Sequence, residues 1–236
     1  LTGGLFQDFA PSAFHMQSVL LPMLRKMGIR AQLAIARPGY VPKGGGIIEL
    51  SVEPIQELHP LVLGEQGKLL SIKGIALSSH LKDKKVSERM ARACQSALKT
   101  QGYVAEIEIV YDDTAPQEGA ALALFAETDQ GAILGADMAG RVGRRSEEIG
   151  RKVAQMLMED LQAESSVDRY AADQVILFAA LARGKSRFKI PRITEHVETN
   201  LWLVEEILGA KVSLEHHWIE IDGPGFEKLA HRRSNG

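Results

Sequence analysis

The chain has 236 residues, of which 45% are hydrophobic, 25% charged and only 6% aromatic, a composition that supports a packed core and excludes a disordered or fibrous chain. Twenty-eight basic residues against 30 acidic ones leave a formal net charge of -2, so no global field draws the chain to nucleic acid or an anionic membrane, and phosphate binding has to be local. The single cysteine, Cys94, excludes an intramolecular disulfide and a cysteine metal cluster and fits a reducing, cytoplasmic setting; no apolar run reaches the roughly 20 residues of a membrane span.

Apolar side chains at Phe14, Val19, Leu20, Met23, Leu24 and Met27 recur at helical spacing, so residues 14–27 read as an amphipathic helix, kinked at Pro22 and stopped by Gly28. AQLAIA and IIELSVEP read as strands around the loop RPGYVPKGGG. From Gly67 the texture changes: LLSIKGIALS is a strand, KKVSERMARACQSALKT a helix, and YVAEIEIVY, ALALFAETD and AILGAD are strands, closed by a long helix from Ser146 to Ala163. This block, residues 65–165, has strands and covering helices enough for a small α/β domain inserted between two parts, 1–64 and 166–236, of an outer domain. RYAADQVILFAALA is helical, with Asp168 as a possible N-cap, GKSRFKIPRIT is strand-like, and HVETNLWLVEEILG is a second helix ended by Gly209. KVSLEHHW and IEIDG are the last strands, with the adjacent His216 and His217 on opposite faces of one, and GPGFEKLAHRRSNG reads as a partly disordered tail. Basic residues gather at Lys82–Lys85, Arg141–Lys152 and His231–Arg233; the first two alternate with acids or apolar residues and read as solvated helix faces.

Three elements can carry chemistry. The glycines of RPGYVPKGGG, Arg37 to Gly46, permit positive φ and close backbone approach to an anion, although such a loop is more often only a turn, and it is not a P-loop because Lys43 precedes the glycines. In YAADQ, helical spacing puts Tyr170, Asp173 and Gln174 side by side, a ring, a carboxylate and an amide that suit a purine; a bare helix N-terminus with acids near its positive end explains the same residues. In EHVETN, His196 stands before a helix carrying Leu201, Leu203, Val204, Ile207 and Leu208, where its ring can face a cleft. A neutral histidine nitrogen is a competent nucleophile, yet a surface or capping role is the commoner one for a histidine so placed.

Taken together and in order, the opening GG, APSAF, RPGYVPKGGG, YAADQVILFAALA and HVETNLWLVEEILG resemble the RNA 3'-terminal phosphate cyclase family over nearly the whole chain. The resemblance implies an α/β (α+β) fold of repeated units, each with two helices on a four-stranded sheet, plus a small inserted α/β domain. It implies use of ATP and a divalent metal (Mg or Mn) to adenylylate a histidine, transfer of AMP to an RNA 3'-phosphate, and closure by the vicinal 2'-hydroxyl to a 2',3'-cyclic phosphate. His196 falls at the family's nucleophile, Pro11 and Tyr170 at positions that sandwich the adenine, and Gln174 at one that touches the nucleotide. Asp173 matches an acidic position beside the histidine, where a hydrogen bond could fix its tautomer. The partner implied is RNA with a 3'-phosphate end, with no membrane and with room for a homo-oligomer.

The chain departs from the family in two ways. The N-terminal unit, with its metal-linked glutamate and phosphate-binding arginines, has no counterpart; and Leu5, Phe6, Gln7 and Asp8 do not follow the usual pattern, Leu5 standing where threonine is common. A cleft without that charge clamp loses several powers of ten in rate, so the expectation for the chain alone is a poor cyclase. Competing readings are a non-catalytic cyclase-like protein of ribosome assembly, against which His196 argues; an enolpyruvyl transferase, which needs basic residues absent from the expected setting; and a plain RNA-binding module, disfavoured by the acidic balance.

Overall fold

A computed structural model describes residues 1–8 and 10–225; the tail with His231–Arg233 therefore lies outside the described residues. The fold is α/β, with three sheets and helices layered on them. The first sheet joins β1 (Thr2–Gly3), β2 (Ala31–Arg37) and β3 (Gly46–Val52), all antiparallel, in the order β1-β3-β2. The helix that precedes β2 is continuous in three pieces: α1 (Ala13–His15), a π-helical turn (Met16–Leu20) and α2 (Leu21–Lys26). Pro22 offers no N–H to the ladder, and the wider turn takes up the mismatch, with the Leu21 N–H donating to the Met16 carbonyl. The kink expected at the proline is thus a π turn before it.

The middle sheet has the order β5-β4-β6-β7, with β4 (Leu69–Ser79) parallel to β5 (Glu106–Tyr111) and β6 (Gly119–Thr128) antiparallel to both β4 and β7 (Ile133–Ala139). Two helices, α3 (Val86–Lys99) and α4 (Ser146–Gln162), cover one face. The other face lies against the α1–α2 helix, and β6 shows the division residue by residue. Ala120, Leu122, Leu124 and Ala126 join the core under α3 and α4, whereas Ala121, Ala123 and Phe125 join the core shared with Phe14, Val19 and Met23. A strand buried on both faces has to be apolar throughout, which is why ALALFA shows no alternation.

The last sheet has the order β8-β10-β9, from β8 (Arg183–Lys189), β9 (Lys211–Glu215) and β10 (Trp218–Pro224). Both outer strands are antiparallel to β10 and so parallel to one another, and residues 58–63 run beside β8 as a fourth extended segment, with the Leu63 N–H on the Arg187 carbonyl at 2.9 Å and the Arg187 N–H on the Leu61 carbonyl at 2.8 Å. Its helices are α5 (Ala171–Leu181) and α6 (Glu195–Leu203), the latter continued by a π turn (Val204–Leu208) and capped by Gly209 at φ +67°. His216 and His217, expected on a strand, are instead the two-residue hairpin turn between β9 and β10, with φ of +47° and +71°. The basic clusters meet expectation only in part: Arg151 and Lys152 lie exposed on α4, whereas Lys82–Lys85 and Arg141–Arg145 lie in the turns that precede α3 and α4.

Helices α3 and α4 approach closely because position 150 has no side chain. A Cβ there would sit 2.4 Å from the Met90 carbonyl oxygen and 2.9 Å from the Cys94 nitrogen. By helix propensity alone Gly150→Ala would stabilise, by about 1 kcal/mol. The clash reverses the sign: we expect a net loss of about 1–3 kcal/mol, seen as a lower urea midpoint with unchanged slope.

Candidate functional site

The site is built where α1, β7 and the start of α5 meet. His15 is the hub. It lies four residues before Val19, on the apolar stripe of its helix, and is 1% exposed. Its Nε2 lies 3.0 and 3.2 Å from the two carboxylate oxygens of Asp168, which is itself fully buried. Asp168 also accepts from the Tyr170 N–H (2.8 Å), the Ala171 N–H (2.9 Å) and, across from β7, the Gly135 N–H (2.8 Å). The N-cap read from the sequence at Asp168 is present, and the same carboxylate ties helix to sheet. Gly135 makes this approach possible, since a Cβ there would stand 2.7 Å from the His15 ring.

Burial alone would lower the His15 pKa, but the charge and hydrogen bond of Asp168, then the charges of Asp137 and Asp173, raise it. Burial pushes Asp168 up, and His15 together with the backbone N–H groups of Ala171 and Gly135 outweighs it, so its pKa is lowered. The two therefore form an ion pair. Asp137, on β7, accepts from the Ser12 N–H at 2.7 Å and is held above the usual carboxylate range by burial. Ser12 in turn caps α1, its Oγ accepting from the His15 N–H at 3.2 Å. Pro11, half-buried, is thereby fixed beside the end of β7.

Tyr170 opens α5, half-buried, with its ring edge-on to His15 at 5.8 Å and its hydroxyl toward the Met156 sulfur at 3.5 Å. Burial pushes its pKa up to about 12. Arg169, just before it, clamps the turn to the end of α4 through Asp160 (2.6 Å) and Glu159 (2.9 Å). One turn on, the Asp173 carbonyl accepts from the Asn200 side chain of α6 at 3.2 Å, and its carboxylate accepts from Gln174 at 3.4 Å. Asp173, Gln174, Leu177, Asn200 and Ile207 line a groove of about 370 Å³ between the helices.

His196 lies in the first turn of α6, exposed, one turn before Asn200. Because β8 and β9 are parallel, the helices that precede them run in the same direction. Tyr170 and His196 accordingly stand toward the same end of the α5–α6 pair. Thr194 caps α6, its Oγ1 accepting from the Val197 N–H at 3.2 Å. The structure thus brings Asp173, Gln174 and Asn200 into contact. No hydrogen bond between Asp173 and His196 is present among the described residues; the Asp173 carboxylate accepts from Gln174 and its backbone carbonyl from Asn200. Among the described residues no group of three or more His, Cys, Asp or Glu side chains could hold a metal.

The glycine loop has a structural use as well. Gly39 and Gly46 cross so closely that a Cβ on Gly39 would meet the Gly46 nitrogen at 2.1 Å. Tyr40, buried, reaches Ser79 of the middle sheet with its hydroxyl (3.0 Å), and Gln117 donates to the Tyr40 and Val41 carbonyls. Asp8, outside the usual pattern, is gripped by Arg144 at 2.8 Å to each oxygen.

Residues His15 and Asp137 were not singled out from the sequence. The available signal was the position of His15 on an apolar stripe, where a buried ionisable group needs a partner. Its removal gives a clear expectation. His15→Ala strands the Asp168 carboxylate in the core and costs about 3–5 kcal/mol. A raised His15 pKa means a contribution complete below pH 6.5 and lost as pH rises through the folded value; a lowered Asp168 pKa means one complete above 3.8 and lost as pH falls through its folded value. Asp137 opposes the second at the acid end. Denaturant titrations between pH 6 and 8.5 are expected to show the native chain losing stability as pH rises and His15→Ala showing no such slope.

With this geometry in hand, comparison with known proteins places the chain. Residues 1–214 match the family model for RNA 3'-terminal phosphate cyclase. A protein of that name from Pyrobaculum neutrophilum is 35% identical over 96% of this chain and 66% of its own length, and one from Thermococcus gammatolerans is 35% identical over 98% and 65%. A probable RNA 3'-terminal phosphate cyclase from Dictyostelium discoideum is 33% identical over 89% of this chain and 50% of its own. The chain spans just under two thirds of the length of the first two. No helix among the described residues is long and apolar enough to cross a membrane. By the extent of the family match and the identity of these relatives, the chain belongs to the RNA 3'-terminal phosphate cyclase family.

Proposed function

We propose that this chain carries the nucleotide-transferring part of an ATP-dependent, cytoplasmic cyclase that turns an RNA 3'-phosphate into a 2',3'-cyclic phosphate. In this reading residues 65–165 are an inserted domain and 1–64 with 166–236 the outer one. His196 attacks the α-phosphorus of ATP, a P–N bond forms as the bond to pyrophosphate breaks, and the imidazole proton leaves to solvent. The RNA 3'-phosphate then takes AMP from His196, and the vicinal 2'-hydroxyl attacks that activated phosphorus and expels AMP. A phosphoramidate intermediate divides one difficult displacement into easier ones. Tyr170 and Pro11 flank the adenine, Gln174 contacts the nucleotide, and Asp173 orients Gln174.

The observation that carries this reading is the placement of an exposed His196 at the same end of a parallel helix pair as Tyr170, with Asp173 and Asn200 locking the helices together one turn away. A divalent ion and the triphosphate charge are not assigned to side chains of this chain, since its described residues offer no metal cluster. The chain alone is therefore expected to react slowly. The alternative, a non-catalytic cyclase-like protein, has no use for a histidine here.

The test is incubation with α-labelled ATP and a divalent metal, using the chain both alone and joined to the preceding segment of a relative. An acid-labile, hydroxylamine-resistant adduct is expected, absent in His196→Ala. Tyr170→Ala should retain the adduct but weaken nucleotide binding by about 1–3 kcal/mol, the range for an aromatic stacked on a base. No adduct in either form of the native sequence would sink the reading.

A further inference from the structure

On the side of the molecule where the glycine loop meets the middle block there is a second cavity, of about 460 Å³. Tyr40, Val41 and Pro42 form one wall; the turns that lead into α3 and α4 form the others. Five cations line it, Lys84, Arg89, Arg141, Arg144 and Arg145, against one carboxylate, Glu118. Two of the five are neutralised at close range, Arg144 by Asp8 and Arg89 by Glu147 at 2.8 and 3.0 Å. The other three are less closely paired. Lys84 reaches Glu118 only at 3.7 Å and Arg141 reaches Asp8, already held by Arg144, only at 3.8 Å, while the Arg145 side chain, whose charge is felt by Glu147, has no ion pair or hydrogen bond among the described residues.

Two further observations point to an anion. Both helices begin at this cavity with a cation at the N-cap position, Lys85 for α3 and Arg145 for α4, and neither has a side-chain cap. A helix N-terminus favours negative charge and disfavours positive, so each cation is placed against the helix it precedes. Independently, Ser146 lines the cavity only 7% exposed, and its hydroxyl has no hydrogen-bond partner among the described residues. One cation without an ion pair, two held only at 3.7 and 3.8 Å, two helix ends without side-chain caps and an unpartnered hydroxyl share one cavity, and a phosphate oxygen complements all of them.

We propose that this cavity holds backbone phosphates of the substrate RNA, upstream of the reacting end. The inference rests on the cyclase reading for the identity of the polyanion. Its position suits the role, because β7, whose Asp137 anchors Ser12 beside Pro11, runs on directly to Gly140 and Arg141 at the cavity. Four residues of strand cover about 13 Å, so the cavity flanks the adenine pocket without being part of it. Among the described residues Tyr40 is the only aromatic side chain on the wall and its ring is buried, so none of them stacks a base there. The contact is to phosphate and independent of sequence.

The test is a salt titration of binding to a short single-stranded oligoribonucleotide, carrying either a 3'-phosphate or a 3'-hydroxyl. The double variant Arg141→Ala/Arg145→Ala is expected to bind about tenfold more weakly and to show a log–log salt slope shallower by about 1.4, the sum for two single-strand phosphate contacts. Arg145→Glu is expected to weaken binding at least as much while the melting temperature holds or rises, since an acid replaces a cation at the start of α4. A residue that served only the fold would not separate those two readouts. Both oligonucleotides should respond alike. Unchanged affinity and slope in folded double variant and Arg145→Glu, or no RNA binding by the native chain, would overturn the proposal. An adduct on His196 together with unchanged RNA affinity in the variants sinks this inference alone; RNA binding that the variants weaken, with no adduct, sinks the cyclase reading alone.

Discussion

The buried ion pair between His15 and Asp168 is the constraint from which the rest follows. One carboxylate without access to water is surrounded by an imidazole and three backbone N–H groups drawn from a helix of the first layer, a strand of the middle sheet and the start of α5. Each partner alone would be costly in the core; together they fix three elements at one point. The remaining His15 nitrogen, Nδ1, is buried with no partner among the described residues, so the ring is held from its Asp168 side. An apolar pair of similar volume could fill the space, but it could not direct the first N–H groups of α5.

That direction matters for chemistry. By fixing the first turn of α5, Asp168 sets where Tyr170 projects, and the His15 ring then supports Tyr170 edge-on. The α5–α6 contact through Asn200 carries the same positional information to the turn that bears His196. An exposed histidine at a helix start is thereby referenced to a buried charge one helix away. This is a general way to keep a reactive group accessible without leaving it loose.

Much of the framework was legible in the sequence because it depends on local patterns. The helices α3 and α4 follow apolar periodicity, and α5 and β6 are nearly continuous apolar runs. The features that escaped depend on tertiary context. His15 looked like any lone histidine, since its partner lies 153 residues away. Two adjacent histidines in a strand-like run became a turn, because the hairpin between β9 and β10 leaves only two residues to reverse the chain and both must take positive φ. Lys82–Lys85 and Arg141–Lys152 read as helix surface, which holds for Arg151 and Lys152, whereas only the folded chain shows that the basic turns before α3 and α4 converge. Of the candidate site, Asp173 and Gln174 sit together on α5, whereas Tyr170, at the start of that helix, turns its ring to His15 and Met156.

Strand β6 has a consequence for how the molecule holds together. Its even-numbered residues belong to one apolar layer and its odd-numbered residues to the other, so the same backbone bounds both. Neither layer can be dismantled while leaving the other a complete wall. The middle block and the helix packed behind it are therefore coupled as one cooperative unit, and local opening around the glycine loop has to be confined to side chains and turns rather than to a hinge beneath the sheet.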